Sequence, residues 1–149
     1  MLPLNLLLSA AIAAAVPATP PAALPIDAAA LSALPRATAR LTAHGKTQSC
    51  EGVWLADLAA AAGLPTGDAI RGPALQTLIV AEAADGYRVV FSLGEVDAKL
   101  GNTQVLVTRR CDGKPLSAED GPVRLVISGE VRAARSVRQL VSLRVVALP

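Results

Sequence analysis

Aromatic residues are nearly missing from this chain of 149 residues: one Trp, one Tyr and one Phe make up 2% of it. A nucleic-acid surface needs bases stacked on rings or a basic patch interleaved with them, and the net charge of +2 supplies neither. Nucleic acid is thereby set aside as a partner. Cysteine is scarce as well. Cys50 and Cys111 stand alone, and their spacing leaves no CxxC redox pair and no four-ligand zinc site. There is no G-x-S-x-G elbow, no Walker glycine loop and no HExxH pair. The longest early apolar run, Leu4–Val16, falls short of the ~20 residues that a membrane span needs. What remains is a chain that is 52% hydrophobic, with Ala, Leu and Val left to build the core of a single domain.

The amino-terminal stretch differs from the rest. Met1–Val16 carries no charged side chain, and Ala13-Ala14-Ala15 and Val16-Pro17-Ala18 offer small residues at a signal-peptidase site. No Lys or Arg precedes the apolar run. The expectation is a cleaved secretory signal over residues 1–18, with a retained anchor as the alternative, and hence a periplasmic or secreted protein with no integral span after cleavage. Pro20, Pro21 and Pro25 make residues 19–25 a stiff lead-in unable to enter a helix or a central strand. The domain proper is expected over residues 26–149. In an oxidising compartment an even pair of cysteines invites a Cys50–Cys111 disulfide. Two separate buried thiols remain the other reading.

Along the domain, Asp27 caps a short helix that stops before Pro35, and Ala37–Ala43 alternates as a strand turned by His44-Gly45-Lys46. Trp54–Ala62 is a helix closed by Gly63. The composition of Pro65–Pro73 is that of a loop. Leu75–Ala83 and Tyr87–Phe91 are strands joined by an Asp85-Gly86 turn. Ser92-Leu93-Gly94-Glu95 fits a capping box that opens a one- or two-turn helix ending near Leu100-Gly101. Thr103–Thr108 is a buried strand, Asp112-Gly113-Lys114-Pro115 a turn, and Val123–Ile127 and Leu140–Ala147 are two further strands. Between the last two lies a basic connector with Arg132, Arg135, Ser136 and Arg138. The pattern is α+β: a mixed β-sheet with short inserted helices.

Several of these segments, in order, resemble the sulfite-oxidase-type molybdopterin-binding domain. Gly52-Val53-Trp54-Leu55 with Gly63 is similar to that family's GVxL…AG element, and Asp85-Gly86-Tyr87 to its DGY hairpin. Asp112-Gly113-Lys114-Pro115-Leu116 is similar to its NGxPL segment. Gly121-Pro122-Val123-Arg124-Leu125 and Ala134-Arg135-Ser136-Val137-Arg138 are similar to its closing GxPxRLV…ARxVK motif. The likeness spans Ile26 to Leu148 and implies that family's fold in a minimal, single-domain version. It also implies an exported, oxidoreductase-related protein that holds a molybdopterin cofactor or a similar phosphate ligand. Arg135, Ser136 and Arg138 fall on the phosphate-facing positions, where a guanidinium fork suits a phosphate. One departure bears on chemistry. The family's metal-binding Cys lies in the strand matched by Ala37–Ala43, which has none here, with His44 following. No catalytic residue and no metal ligand is therefore assigned. The alternative is a non-catalytic module on the same fold that binds a small anion or a partner protein, a redox partner included.

Each candidate also has a plainer reading. Arg135, Ser136 and Arg138 read equally as a solvated link between strands. Arg124 alternates with Val123 and Leu125, so it faces away from the core or into a site; of the two, a surface salt bridge is expected. His44 is expected exposed in its turn, Tyr87 half-buried with its hydroxyl at the rim, and Glu51, Asp57, Glu119 and Asp120 as solvated carboxylates. If the export reading holds, amino-terminal sequencing of secreted protein will begin between Val16 and Thr19; full-length protein retained in the cytoplasm would refute it.

Overall fold

The computed structural model describes residues 21–149, so the signal-peptide expectation lies outside the described residues. In chain order these form β1 (Ala23–Leu24), α1 (Ala28–Ser32), β2 (Ala37–Ala43), β3 (Lys46–Trp54) and α2 (Leu55–Ala61). There follow β4 (Thr77–Ala83), β5 (Arg88–Ser92), α3 (Leu93–Val96), β6 (Val105–Cys111), β7 (Lys114–Pro115), β8 (Arg124–Ile127) and β9 (Leu140–Ala147). The α+β class is as expected. The single mixed sheet is not: every pairing among the described residues is antiparallel, and the strands divide into two sheets. One sheet has the order β1-β9-β4-β5; the other runs β2-β3-β6, with β7 and β8 both paired to the far edge of β6.

Local chemistry accounts for the elements read correctly. Asp27 caps α1 by accepting from the Ala30 amide at 3.0 Å, and Ser92 caps α3 by accepting from Glu95 at 3.0 Å. The β2–β3 turn places His44 at φ 51° and Gly45 at φ 74°, a pair of left-handed residues suited to a two-residue hairpin. β2 and β9 occupy the expected residues. β3 was not anticipated as a strand. Its first half, Lys46-Thr47-Gln48-Ser49, is polar throughout and is extended because it pairs with β2 across the hairpin; β6 joins the other edge only from Cys50 onward. Ala23–Leu24 pairs with β9 at the edge of the first sheet and Leu24 is buried, so the core takes in part of the lead-in.

The second sheet curls. Ser128, just past β8, accepts from the Arg40 amide at 3.0 Å and donates to the Arg40 carbonyl at 2.8 Å, bringing β8 back to β2. Inside the curl lies a small core of Ala37, Ala39, Leu41, Cys50, Leu106, Cys111 and Val126. Outside it, a larger core fills the space between the two sheets and the helices, with Phe91, Leu55, Ile79, Leu125 and Leu143 fully buried. β6 and β8 feed both: Val105, Val107, Leu125 and Ile127 face the large core, while Leu106 and Val126 face the small one. A sheet irregularity at Glu51/Gly52 lets β3 approach β6 so closely that a Cβ on Gly52 would stand 2.1 Å from the Val107 carbonyl oxygen. Gly52 is thus the residue that permits this pairing.

Cys50 and Cys111 face each other across β3 and β6 and form a disulfide, with their Cα atoms 4.0 Å apart. It closes a loop between residues 61 apart, for which the chain-entropy account gives on the order of 4 kcal/mol. Replacing both cysteines by Ala should lower unfolding free energy in urea by about that amount. Thiol titration of the unfolded, unreduced wild-type chain should find no reactive thiol.

Candidate functional site

The open end of the curled sheet forms a cleft of about 640 Å³, within the ~300–1,000 Å³ range of small-molecule sites. Leu41, Ala43, His44, Lys46, Thr47 and Gln48 supply one wall from the β2–β3 hairpin; Asp112, Glu119, Asp120 and Arg124 supply the other. Arg124 stands where β8 begins. Alternation along β8 turns it to the same side as Val126, toward the interior of the curl, so its side chain closes the end of the small core.

Arg124 is only 5% exposed. It is not the surface ion pair expected from its alternation with Val123 and Leu125: the strand has both faces covered, so neither direction leads to solvent. Its guanidinium meets Asp120 Oδ1 at 3.3 Å, donates to the Ser136 carbonyl at 3.2 Å and approaches the Leu125 carbonyl at 3.4 Å. Burial pushes its pKa down; the Asp120 carboxylate opposes that, and the nearby Arg138 charge adds to it. A guanidinium so placed stays protonated near neutral pH, and Asp120 is its ionic partner. Asp120 is accordingly tied down rather than free in solvent.

The other carboxylates around the cleft are also occupied. Asp112 Oδ1 accepts from the Ser49 amide at 3.0 Å, and Glu119 accepts from Arg138 at 3.1 Å. Lys46 has no ion-pair or side-chain hydrogen-bond partner among the described residues, and His44 is exposed beside it, as expected for its turn. The cleft therefore offers one unneutralised cation and one imidazole above an internally balanced Arg124–Asp120 pair.

The basic connector is not a single cradle. It contains a short 3₁₀ turn at Ala133–Arg135. Arg135 lies over the Phe91 ring at 4.9 Å from its centroid and binds Glu95 at 2.9 Å and Glu130 at 2.6 Å. Burial works against its charge, but the two carboxylates outweigh this and its pKa stands above the ordinary value. Ser136 is buried, and its hydroxyl accepts from the Ile127 amide at 3.1 Å. Arg138 is exposed and paired with Glu119 at the edge of the large cleft. Ser136 and Arg138 line one shallow hollow of about 270 Å³ with Tyr87, and Arg135 is not among its walls. The Tyr87 hydroxyl donates to the Ala134 carbonyl at 2.7 Å, which pins the connector to the β4–β5 turn.

Sequence reasoning took Asp120 for a solvated carboxylate, gave Lys46 no role beyond its turn, and missed the burial of Arg124. A usable signal was present: Asp120 and Arg124 lie four apart, and Arg124 opens an otherwise apolar strand. Asp97 was also missed. Its carboxylate accepts from the amides of Gly67 at 2.9 Å and Lys99 at 2.8 Å, away from the cleft, and the Gly67 bond above all holds its pKa below the usual range.

Both cysteines of the chain are consumed by the disulfide. Neither is therefore free to supply the thiolate that the resemblance implies for the metal. No helix among the described residues is long and apolar enough to cross a membrane. No family model matches the chain, and no curated protein matches it.

Asp120→Asn should test the buried pair directly. It removes the charge that offsets Arg124 while keeping an acceptor, and the expected loss is about 2 kcal/mol in urea unfolding. High salt should leave that loss largely intact, because a buried pair is poorly screened. A loss that vanishes in salt would mark the pair as a surface contact.

Proposed function

We propose that this chain is an exported, non-catalytic binding module on a fold of the sulfite-oxidase molybdopterin-binding type, whose large cleft takes a small phosphate-bearing ligand of pterin type. The observation that carries the reading is the position of the cleft. It opens at the end of β2, beside His44, and β2 is the strand in which the resemblance puts the residue that would bear the metal. The order of GVxL-like, DGY-like, NGxPL-like and GxPxRLV-like segments along the chain supports the fold, as do the α+β class and the antiparallel hairpins at the DGY-like and NGxPL-like segments. The disulfide is compatible with an oxidising compartment.

Binding without metal chemistry follows from the residues. The strand matched to the metal-bearing one has no Cys, and neither cysteine elsewhere is a free thiol. A phosphate entering the cleft would meet Lys46 as its point cation and His44 as a second donor, with Arg138 at the rim behind Glu119. Arg124 would act through position: it holds Asp120 and the connector, and so the shape of the inner wall.

The test is purification from a host that makes molybdopterin, with metal analysis and fluorescence of acid-released, oxidised pterin. The expected result is pterin without stoichiometric molybdenum, and less of it from Lys46→Glu by about tenfold, as for loss of one charge-assisted contact. One molybdenum per chain would overturn the non-catalytic reading. A wild-type protein that releases no pterin would overturn the ligand class.

A further inference from the structure

A second cleft, of about 400 Å³, lies on the other side of β3, between α1 and the strands β3, β6 and β7. Its floor is apolar: Leu31 from α1 and Val107 from β6 are buried in the large core, and Leu116 and Pro122 extend the same surface. Its rim is basic. Arg36, Arg109 and Arg110 stand there against one carboxylate, Glu51. That carboxylate is weakly engaged, 3.8 Å from Arg36 with both side chains more than half exposed. Arg110 is partly satisfied by the Gly113 carbonyl. Arg109 is half-buried, and its guanidinium makes no hydrogen bond or ion pair among the described residues.

We propose that this cleft is a binding site for a small amphiphilic anion: a carboxylate or phosphate head on a short apolar body. A half-buried guanidinium has lost part of its hydration and gains most from an acceptor that fills its fork. The neighbouring arginines leave the rim with surplus positive charge, which favours a negative head over a neutral one. Leu116, Pro115 and Pro122, with Ala28 of α1, give the body of the ligand an apolar surface to cover above the buried Leu31 and Val107. None of these residues belongs to the cleft beside His44, so the two sites stand or fall separately.

Calorimetric titration of the purified chain with octanoate, octyl phosphate, octanol and inorganic phosphate tests the proposal. At least one of the two amphiphilic anions should bind about tenfold more tightly than octanol and than inorganic phosphate, the worth of one added charge-assisted contact or of the buried body. Preference between octanoate and octyl phosphate identifies the head group. Arg109→Gln and Arg36→Glu should each weaken that binding by a similar factor. Arg36 is exposed, so its reversal leaves the fold intact and decides the matter if Arg109→Gln destabilises the sheet. Octanol binding as tightly as the anions would overturn the charge argument, and inorganic phosphate binding as tightly would overturn the amphiphile. Unchanged affinity in a folded Arg36→Glu variant would remove the site from this cleft.

Discussion

β6 is the constraint on which the rest of the molecule depends. Residues 105–108 of this strand are buried on both faces, because one face closes the curled sheet and the other faces the space between the sheets. Such a strand cannot slip by one residue without exchanging Leu106 for Val105 and Val107, which would misfit both cores at once. Its pairing with β3 is held in register by the disulfide at one end and by the close approach at Gly52 in the middle. Thr108 completes the arrangement: its hydroxyl donates to the Glu51 carbonyl at 2.6 Å, satisfying backbone that the irregularity leaves unpaired.

The basic residues near the carboxyl end acquire their roles from that frame. Arg124 is buried because β8 lies against β6 and inherits its two-faced burial, and Asp120 follows because a buried guanidinium requires a partner. Arg135 is drawn over Phe91 and between Glu95 and Glu130, so it ties the connector to α3. Ser136 returns its hydroxyl to the backbone of β8. A link rich in charge thus serves largely as internal support, while two unpartnered cations that line the clefts, Lys46 and Arg109, sit on hairpin and strand positions with no motif around them.

The local elements were legible where the signal is local. Asp27 and Ser92 announce helix starts because their side chains bond amides three residues on. Asp85-Gly86 and Asp112-Gly113 announce hairpins because few residues other than Gly, Asn and Asp accept positive φ, and Gly86, Asp112 and Gly113 adopt it. β2 and β9 were legible by their alternation and apolar content. β3 was hidden, since its polar first half is a strand only through its pairing with β2, which no pattern in residues 46–49 announces. The chain end of the helix read from Ser92 was overdrawn: α3 is a single turn, after which Asp97 bonds Lys99 and Gly67 and bends the chain away.

By itself, then, the sequence determined the α+β class, most of the turns and caps, and the means for a disulfide, all of which depend on residues near one another or on composition. Tertiary structure alone decided that there are two antiparallel sheets rather than one mixed sheet, that Cys50 opposes Cys111, and that Arg124 is inside while Lys46 is not. The physical reason is common to all three. Whether a residue is buried, paired or free depends on which strand lies on the far side of it, and alternation along one strand specifies two faces without saying what will cover either.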